Sequence, residues 1–350
     1  MVIDYLSRSE KLKPFYNYAP DKAGIQQAIA DRKKFPVDRS ALIAVLQEQY
    51  KHLPQSEALQ GNLELLQDPN TFTICTSHQP NLLTGYLYFV YKIVHAIKLA
   101  RELKTMFPEH HFVPVYYMGS EDNDLDALGT FRYNGQKFVW DAAGQKGAVG
   151  RMSTESLKPL LHDLLRQLGP PGDFCEELQQ TITTAYLQHD TITAATAYLV
   201  NELFGRFGLV VIDPDHRSLK AAFINVMKDD LLNQTPNKIV VQQMESLANH
   251  YKAQAHPRSI NLFYLKDDLR ERIEKLSEGW GVVNSNIRWT EEALLKELEV
   301  DRKNLRDGLR NRSGPTSPAH TSCGFSSCRA LASTQSGTCA HRTAEADEAW

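Results

Sequence analysis

The feature that most constrains the fold is a pair of short apolar strands with one long apolar helix between them. Residues 71–76 are β-branched and aromatic, which favours a strand, and residues 111–118 form a second apolar stretch. From about 84 to 104, apolar residues cover a wide arc of a helix, which predicts that most of this helix is buried. Strand, helix and strand in this order form a βαβ unit, so the sequence predicts a parallel sheet with a right-handed crossover.

A third strand extends this pattern into an α/β fold. Residues 208–213 are apolar and lie between helical stretches, so a Rossmann-like parallel sheet is the expected architecture. The predicted domains are a helical N-terminal segment (1–70), the first half of the core (71–126), a connecting insertion (127–190), a continuation of the core with a second insertion (191–300) and a tail (301–350).

Composition limits the classes of function. The chain has 350 residues, with 39 Lys and Arg against 42 Asp and Glu, which gives a formal charge of −3. This balance argues against a general nucleic-acid binder, which neutralises many phosphates. No apolar run reaches the roughly 18–20 residues that cross a bilayer, and the first residues lack a secretory signal pattern. Five cysteines do not form a disulfide framework in a chain of this length. We therefore expect a cytoplasmic protein that binds neither nucleic acid nor membrane.

The tail differs from the rest of the chain. Residues 301–350 contain no Ile and no Val, and only three Leu, while Ser, Thr, Gly and Pro abound. Such a segment buries too little apolar area to offset the entropy lost on ordering, which is about 1–2 kcal/mol per residue. The composition predicts that the tail is disordered and is not a packed part of the fold.

The loop after the first strand carries side chains suited to an anion. Ser77, His78 and Gln79 precede the helix, and Thr84 and Gly85 lie at its predicted start. Open parallel sheets bind ligands at the carboxyl ends of their strands, where the N–H groups of a helix N-terminus favour negative charge. The alternative is that Ser77 or Thr84 caps the helix and that His78 is an ordinary loop residue. Spacing alone does not decide between the two.

The loop after the second strand is acidic. It contains the carboxylates Glu121, Asp122, Asp124 and Asp126, which repel one another unless a cation or water compensates them. Their place at a strand end predicts a site for a substrate ammonium group or Mg²⁺, and a solvated surface cluster is the alternative. After the third strand, Asp215 is expected to cap the following helix.

Several common catalytic motifs do not occur in the sequence. The patterns G-x-G-x-x-G, Walker A and G-x-S-x-G are missing, which argues against a conventional dinucleotide enzyme, a P-loop enzyme and an α/β-hydrolase. Cys75 and His78 have a C-x-x-H spacing, but the sequence offers no second pair that would complete a zinc site. No metal ligands are therefore predicted.

Three segments, in this order, resemble the bacillithiol synthase family BshC, a family of cysteine-adding ligases. They are TSHQPNLLTG followed by LYFVYKI (76–85 and 87–93), VPVYYMGSEDND (113–124) and GLVVIDPDH (208–216). The resemblance covers about residues 1 to 300, and the ordered combination is more specific than any one segment.

The resemblance implies a core similar to that of class I aminoacyl-tRNA synthetases, with helical connecting-peptide insertions and a coiled-coil arm through which members form homodimers. It implies that L-cysteine is added to glucosaminyl malate in the last step of bacillithiol synthesis, with ATP activating the carboxyl group. His78 then corresponds to the class I "HIGH" signature, which has two His residues, and only one of them is present in this sequence. Family members are longer, so the resemblance also implies that this chain is truncated after about residue 300, lacks the dimerising arm and is a poor catalyst.

Under this interpretation the candidate residues fall into two groups. Those expected to bind ATP, alone or with Mg²⁺, are Ser77, His78, Gln79, Thr84 and Gly85. Those expected to hold the ammonium group of cysteine or glucosamine, or a Mg²⁺, with one of them acting as general base, are Glu121, Asp122 and Asp124. Two alternatives stay open, a metal-dependent nucleotide-sugar transferase and a non-catalytic protein that binds a nucleotide or sugar.

Overall fold

The chain divides into two compact units. The computed structural model describes residues 1–35, 37–252, 257–266, 268–300 and 305–307. Unit 1 takes its described residues from 1–38, 220–264 and 271 onward, and unit 2 takes its residues from 39–219 and 265–270. The domain boundaries expected from the sequence stay predictions.

Runs of helices separate the strands in much of the chain, and helix and strand alternate one by one from α4 to β3. The α-helices of the described residues are α1 (Val2–Leu6), α2 (Lys22–Lys33), α3 (Ser40–Gln49), α4 (Glu57–Leu65), α5 (Tyr88–Met106), α6 (Leu125–Leu128), α7 (Lys158–Gln167), α8 (Asp173–Leu187), α9 (Ile192–Phe204), α10 (Arg217–Ala221), α11 (Ile224–Leu232), α12 (Thr235–Ala248) and α13 (Glu291–Val300). The β-strands of the same residues are β1 (Thr71–His78), β2 (His111–Met118), β3 (Thr130–Tyr133), β4 (Gln136–Val139), β5 (Val210–Ile212), β6 (Leu262–Lys266), β7 (Leu269–Leu276), β8 (Gly279–Val282), β9 (Arg288–Trp289) and β10 (Leu305–Asp307). None of the helices in this part of the chain is long and apolar enough to cross a membrane.

Unit 2 contains a parallel sheet with the strand order β1-β2-β5. His78 lies opposite Met118, and Tyr117 lies opposite Ile212. The carboxyl ends of the three strands therefore stand side by side at one edge of the sheet, which we call the carboxyl edge. The predicted βαβ unit is confirmed, and the fold is α/β and Rossmann-like.

Helix α5 covers β1 and β2 with one face only. The side chains buried on this face are Phe89, Ile93, Ala96, Ile97, Ala100 and Leu103. On the other face, Tyr88, Tyr91 and Val94 are exposed, so the prediction that most of this helix is buried is wrong: it lies on the sheet and only the side that faces the strands is buried. The helix begins at Tyr88 rather than near Thr84, because residues 83–85 have positive φ angles, which an α-helix does not allow.

The insertion between β2 and β5 builds an apolar core within unit 2. Its hairpin of β3 and β4 turns at Asn134 and Gly135, whose positive φ angles suit a type I′ turn. The rings of Phe131 and Phe138 stack across the hairpin with centroids 4.9 Å apart, and they pack with the buried faces of α7, α8 and α9. This core fixes α8, whose Tyr186 contacts the chain just after β1.

Unit 1 combines helices with antiparallel strands. Strand β8 pairs with β7 and β9, and β10 pairs with β6. Strand β10 lies within the segment 301–350, for which the sequence predicts disorder. The other residues of that segment lie outside the described residues. The prediction that they do not pack therefore concerns residues outside the described part of the chain.

Candidate functional site

Three loops meet at the carboxyl edge of the unit 2 sheet. The first loop (79–87) follows β1, the acidic loop (119–124) follows β2, and the third loop (213–216) follows β5. The first two are joined at their bases, since Gly119 N donates to the carbonyl oxygen of His78 at 2.7 Å. Tyr116 Oη donates to the same carbonyl oxygen at 3.1 Å. The pairing of β1 with β2 thus continues beyond the strands and fixes the two loops beside each other.

His78, the last residue of β1, packs between aromatic rings. Its ring centroid lies 5.1 Å from that of Tyr88 and 5.2 Å from that of Phe89. Its Nδ1 lies 3.1 Å from the carbonyl oxygen of Gln79, and because a carbonyl only accepts, the ring proton belongs on Nδ1. Burial lowers the pKa of His78 to about 4, and the positive charge of Lys92 adds to the effect. The imidazole is therefore neutral near pH 7.

Backbone strain shapes the first loop. Leu83, Thr84 and Gly85 have φ angles of 50°, 71° and 64°, a left-handed region that only glycine adopts without cost. Leu83 N donates to Tyr186 Oη at 2.9 Å, which ties this strained turn to α8. A Cβ on Gly85 would lie 2.7 Å from the Cβ of Asn81. The predicted site residues Thr84 and Gly85 therefore belong to a turn that precedes α5, and neither lies in its first helical turn.

The acidic loop divides into a buried part and an exposed part. Glu121 and Asp122 are only 3% and 7% exposed, whereas Asp124 and Asp126 face solvent. Asp124 Oδ1 accepts a hydrogen bond from Ala127 N at 3.2 Å and so caps α6. The structure brings Glu121 and Asp122 to the carboxyl edge and places Asp124 at the start of the next helix.

A side-chain hydrogen bond connects the first loop with the acidic loop. Gln79 Nε2 donates to Asp122 Oδ2 at 2.7 Å, and Asn123 N donates to Asp122 Oδ1 at 2.7 Å. Two predicted site residues from different loops are therefore in direct contact. Ser77, a third, lies on β1 itself, where its carbonyl oxygen is 3.4 Å from Lys92 Nζ.

The third loop begins with a half-buried carboxylate, Asp213. Ser120 Oγ donates to Asp213 Oδ1 at 2.5 Å, and Asp215 N donates to the same oxygen at 3.0 Å. Burial raises the pKa of Asp213 to about 6, and the negative charges of Asp215 and Glu121 also raise it, while the hydrogen bond from Ser120 acts in the opposite direction. The acidic loop and the third loop therefore share a carboxylate that titrates near neutral pH.

Side chains at the end of helix α3 form hydrogen bonds with backbone groups of β5 and of the residue that follows it. Gln49 Nε2 donates to the carbonyl oxygen of Asp213 at 2.8 Å, and Gln49 Oε1 accepts from Asp213 N at 3.1 Å. Tyr50 Oη accepts from Val211 N at 2.6 Å. These side chains hold the end of β5, and with it the start of the third loop, in place.

Asp215 binds Arg151 through both carboxylate oxygens. Arg151 Nε lies 2.6 Å from Oδ2 and Nη2 lies 2.9 Å from Oδ1. Helix α10 begins at Arg217, and Ser218 N donates to His216 Nδ1 at 3.2 Å. That Asp215 caps this helix stays a prediction; its bidentate pair with Arg151 ties the third loop to the insertion.

Sequence reasoning missed two contributors to this site, Arg151 and Ser120. Arg151 lies in the insertion, 64 positions from Asp215, so no local spacing connects the pair. Ser120 directly precedes Glu121, and its small hydroxyl gave no signal of a carboxylate partner. No group of three or more His, Cys, Asp and Glu side chains in the described part of the chain is arranged to hold a metal ion.

Comparisons with known proteins identify one family. Residues 1–306 match the family model described as "Bacillithiol biosynthesis BshC, N-terminal Rossmann-like domain". A protein of Flavobacterium psychrophilum is 40% identical over 304 residues, which cover 86% of this chain and 57% of the relative. A protein of Christiangramia forsetii is 39% identical over 306 residues (85% and 56%), and one of Bacillus cytotoxicus is 25% identical over 324 residues (89% and 60%). All three bear the name "Putative cysteine ligase BshC".

The family match includes all three loops of the carboxyl edge. The chain spans little more than half the length of the curated relatives it matches, 57% in the Flavobacterium psychrophilum protein. The matched part of the family is its Rossmann-like domain, in agreement with the parallel sheet of unit 2. The chain therefore belongs to the BshC family of bacillithiol biosynthesis and carries the N-terminal Rossmann-like domain of that family.

Proposed function

We propose that this chain carries the cysteine-binding and carboxyl-activating part of a cysteine ligase, which adds L-cysteine to glucosaminyl malate in the last step of bacillithiol synthesis. The names of the relatives support this assignment, as does the family description. The observation that carries the proposal is the hydrogen bond between Gln79 and Asp122. It joins a loop suited to an anion and a loop suited to a cation in one site, and a zwitterionic amino acid with a phosphorylated activator needs both.

The reaction joins the carboxyl group of cysteine to the amine of the sugar. An ionised carboxylate is a poor acyl donor, so ATP, as a second substrate, transfers a phosphoryl group to one carboxylate oxygen and leaves as ADP, or transfers an adenylyl group and releases pyrophosphate. The amine nitrogen then attacks the carbonyl carbon; the C–N bond forms, the C–O bond to the phosphate group breaks so that phosphate or AMP leaves, and the nitrogen loses a proton. A carboxylate within hydrogen-bond distance of the amine serves as the base for that proton.

The acidic loop is the part of the site that holds the ammonium group. Glu121 and Asp122 are buried, so their negative charge acts through a medium of low polarity and attracts a cation more strongly than an exposed pair does. Gln79 orients Asp122. Asp124 is exposed and caps α6, which leaves it suited to the base role toward an amine that arrives from solvent.

The first loop is the part that holds the phosphate groups of ATP. Lys92 brings a positive charge next to His78. Ser77 lies near the end of β1, and Gln79, Thr84 and Gly85 lie between β1 and the start of α5 in the chain. The Nδ1 proton of His78 is engaged with Gln79, so Nε2 donates to a phosphate only when the ring is protonated. Phosphate charge favours the protonated ring, and we therefore expect ATP binding to be accompanied by proton uptake at His78.

Mg²⁺ enters this scheme with the nucleotide. Its preferred ligands are water, carboxylate and phosphate oxygens, and a nucleotide supplies the phosphate oxygens itself. We assign the acidic loop to the ammonium group rather than to Mg²⁺. Glu121 and Asp122 already interact with nitrogen donors, the guanidinium of Arg151 and the amide of Gln79, and an ammonium group is a donor of the same kind.

The partners and the cell compartment are part of the same proposal. The small-molecule partners are L-cysteine and glucosaminyl malate, and the homodimer of the family forms through a coiled-coil arm outside the matched domain. A biosynthetic ligase that uses free cysteine and ATP fits the cytoplasm.

The test measures thermal unfolding of the chain with L-cysteine, ATP and glucosaminyl malate, singly and together. A ligand that binds only the folded chain raises its stability by about 2.7 kcal/mol at a hundredfold excess over the Kd. We expect L-cysteine to stabilise the wild-type chain and to lose most of this effect in Asp122→Asn, with or without Mg²⁺. Asp163→Asn is the matched control, because Asp163 is exposed and pairs with Arg166 on α7.

Two results contradict the proposal. Stabilisation by a nucleotide sugar with a divalent metal, without any response to L-cysteine, identifies the chain as a nucleotide-sugar transferase. The second result is equal binding of L-cysteine by Asp122→Asn and by Asp163→Asn. That result would mean that the acidic loop is not part of the site.

A further inference from the structure

A short 3-10 turn, Val149–Arg151, lies against the acidic loop, and we call it the strap. Its first N–H group donates to the carbonyl oxygen of Asp122 at 2.7 Å, and its second donates to the carbonyl oxygen of Ser120 at 2.8 Å. The strap therefore binds the backbone on both sides of Glu121. The place of this buried carboxylate depends on a segment that belongs to the insertion and not to the sheet.

The strap approaches the acidic loop too closely for any side chain at its middle residue. A Cβ on Gly150 would lie 2.5 Å from the carbonyl oxygen of Ser120 and 2.5 Å from Thr193 Oγ1. The φ angle of Gly150 is not positive. Glycine is required here for the close approach of two backbones and not for an unusual backbone conformation.

The last residue of the strap closes a ring of hydrogen bonds. Arg151 binds Asp215, Asp215 N donates to Asp213 Oδ1, and Ser120 Oγ donates to the same oxygen. The carbonyl oxygen of Ser120 then leads back to the strap through Gly150 N. The ring connects the acidic loop, the third loop and the insertion.

We propose that Asp213, Ser120 and Arg151 are positioning residues of the candidate site, which through this ring set the place of Glu121 and Asp122 and thereby the strength of ammonium binding. The identity of the bound group rests on the proposed function. The three residues act through the backbone of the acidic loop, and none of them is assigned a contact with the reacting atoms.

Asp213 makes the ring sensitive to pH. The charged and titratable groups that face it are Asp215 on its own loop, Glu121 on the acidic loop, Arg151 on the strap and Tyr116 on β2. The pKa of Asp213 is about 6, so below that pH the carboxyl group is neutral. A neutral carboxyl group accepts the hydrogen bonds from Ser120 Oγ and Asp215 N more weakly than a carboxylate does, which loosens the ring that positions Glu121 and Asp122.

Ser120 adjusts this behaviour in a direction that can be checked. Its hydrogen bond lowers the pKa of Asp213, because the hydroxyl donates to the charged form. Removing the hydroxyl therefore moves the midpoint of the pH dependence to a higher pH. A residue with a merely structural role changes stability but leaves this midpoint unaltered.

The experiment is calorimetric titration of the 350-residue chain with L-cysteine between about pH 5 and 8. The variants are Asp213→Asn, Ser120→Ala and Arg151→Lys. The matched controls are Asp163→Asn and Arg166→Lys, which alter an exposed ion pair on α7 in the same unit. Urea unfolding of every variant separates a loss of binding from a loss of folding.

We expect wild-type affinity for L-cysteine to fall with a midpoint near pH 6. Asp213→Asn should bind about tenfold more weakly at neutral pH, because misplaced groups bind less well, and should lack the midpoint. Ser120→Ala should show the midpoint at higher pH. Arg151→Lys should weaken binding, since lysine cannot form the bidentate pair.

Variants that match the controls in affinity and pH profile overturn the inference. A wild-type chain that does not bind L-cysteine refutes the proposed function, and the ring is then judged by NMR of the chain labelled with ¹⁵N-glycine. Amide shifts of Gly119 and Gly150 with a midpoint near pH 6, absent in Asp213→Asn, support the ring. Amide shifts that do not follow Asp213 overturn it.

Discussion

The first loop and the acidic loop stand side by side at the carboxyl edge but are held by different contacts. The first loop contains a turn with positive φ angles that a hydrogen bond to Tyr186 Oη ties to α8, and the neighbouring His78 packs between aromatic rings and is kept neutral. The acidic loop accepts hydrogen bonds from the strap and from Gln79, and its own Ser120 donates to Asp213. We therefore expect a change of charge at Asp213 to reach the acidic loop, through this hydrogen-bonded network, more readily than it reaches the first loop.

The largest expected effect concerns the network. Arg151→Met leaves the Asp215 carboxylate, 7% exposed, without its bidentate partner. Breaking a buried ion pair from one side should lower the free energy of unfolding by about 3 kcal/mol. Urea unfolding measures this loss, and Arg166→Met, at an exposed pair, should cost less than about 0.5 kcal/mol. Equal losses of unfolding free energy in the two variants would mean that the Arg151–Asp215 pair stabilises the fold no more than an exposed ion pair does.

The next largest effect concerns the first loop. Tyr186→Phe removes the oxygen that accepts the hydrogen bond from Leu83 N, so a backbone N–H group in the strained turn loses its partner. This should lower the free energy of unfolding by about 2 kcal/mol. Tyr133→Phe is the control, because its hydroxyl makes an exposed hydrogen bond of 3.4 Å to Gln167. If the two variants unfold at the same urea concentration, the turn does not depend on α8.

His78, at the base of the first loop, and Asp213, the hydrogen-bond partner of the acidic loop, should respond to acid with opposite signs. The pKa of His78 falls from 6.5 to about 4 on folding, so the unfolded chain binds more protons and this group destabilises the fold as pH drops through that range. The pKa of Asp213 rises from 3.8 to about 6, so the folded chain binds more protons and this group stabilises the fold as pH drops from about 6 to 3.8.

Variants separate the two contributions. Relative to wild type, the free energy of unfolding of His78→Gln should rise on acidification and that of Asp213→Asn should fall, each by up to about 1.4 kcal/mol per pH unit. Urea unfolding at several pH values tests this. His162→Gln, an exposed histidine on α7, should run parallel to wild type. Parallel curves for all three variants would contradict the assigned burial of both groups.

The smallest expected effect is a gain of stability. Thr84 is β-branched and has a φ angle of 71°, so Thr84→Gly should release strain and raise the free energy of unfolding by about 1 kcal/mol. Asn134→Gly in the type I′ turn of the β3–β4 hairpin should gain less, since asparagine tolerates that conformation. Thermal unfolding compares the two, and a loss of stability in Thr84→Gly would show that its side chain contributes more than its backbone costs.

The sheet was predictable from the sequence because burial on both faces leaves nearly continuous apolar runs in parallel strands. The same runs locate the loops that follow them, and this is why the pairing of Gln79 with Asp122 lies where two predicted polar loops meet. Local patterns therefore carry the architecture and the position of the site.

The rest depends on contacts between residues far apart in the chain. The sequence predicts a helix from about residue 84, but Tyr186, 103 positions from Leu83, helps to hold a turn there, and α5 begins only at Tyr88. The sequence predicts only a helix cap at Asp215, yet the folded chain also gives it Arg151, 64 positions away, as a partner. No spacing rule encodes such a pair, because it depends on which distant residues the folded chain brings within 3 Å of each other.

The contacts of α3 with β5 have a consequence for assembly. An edge strand exposes N–H and C=O groups that can recruit a strand from another molecule. At β5, the last strand in the order β1-β2-β5, Gln49 and Tyr50 occupy the outward N–H groups of Val211 and Asp213 as well as the Asp213 carbonyl. The side chains thereby take the hydrogen bonds that a neighbouring strand would form. A strand from another molecule therefore cannot pair with these backbone groups unless it displaces the side chains.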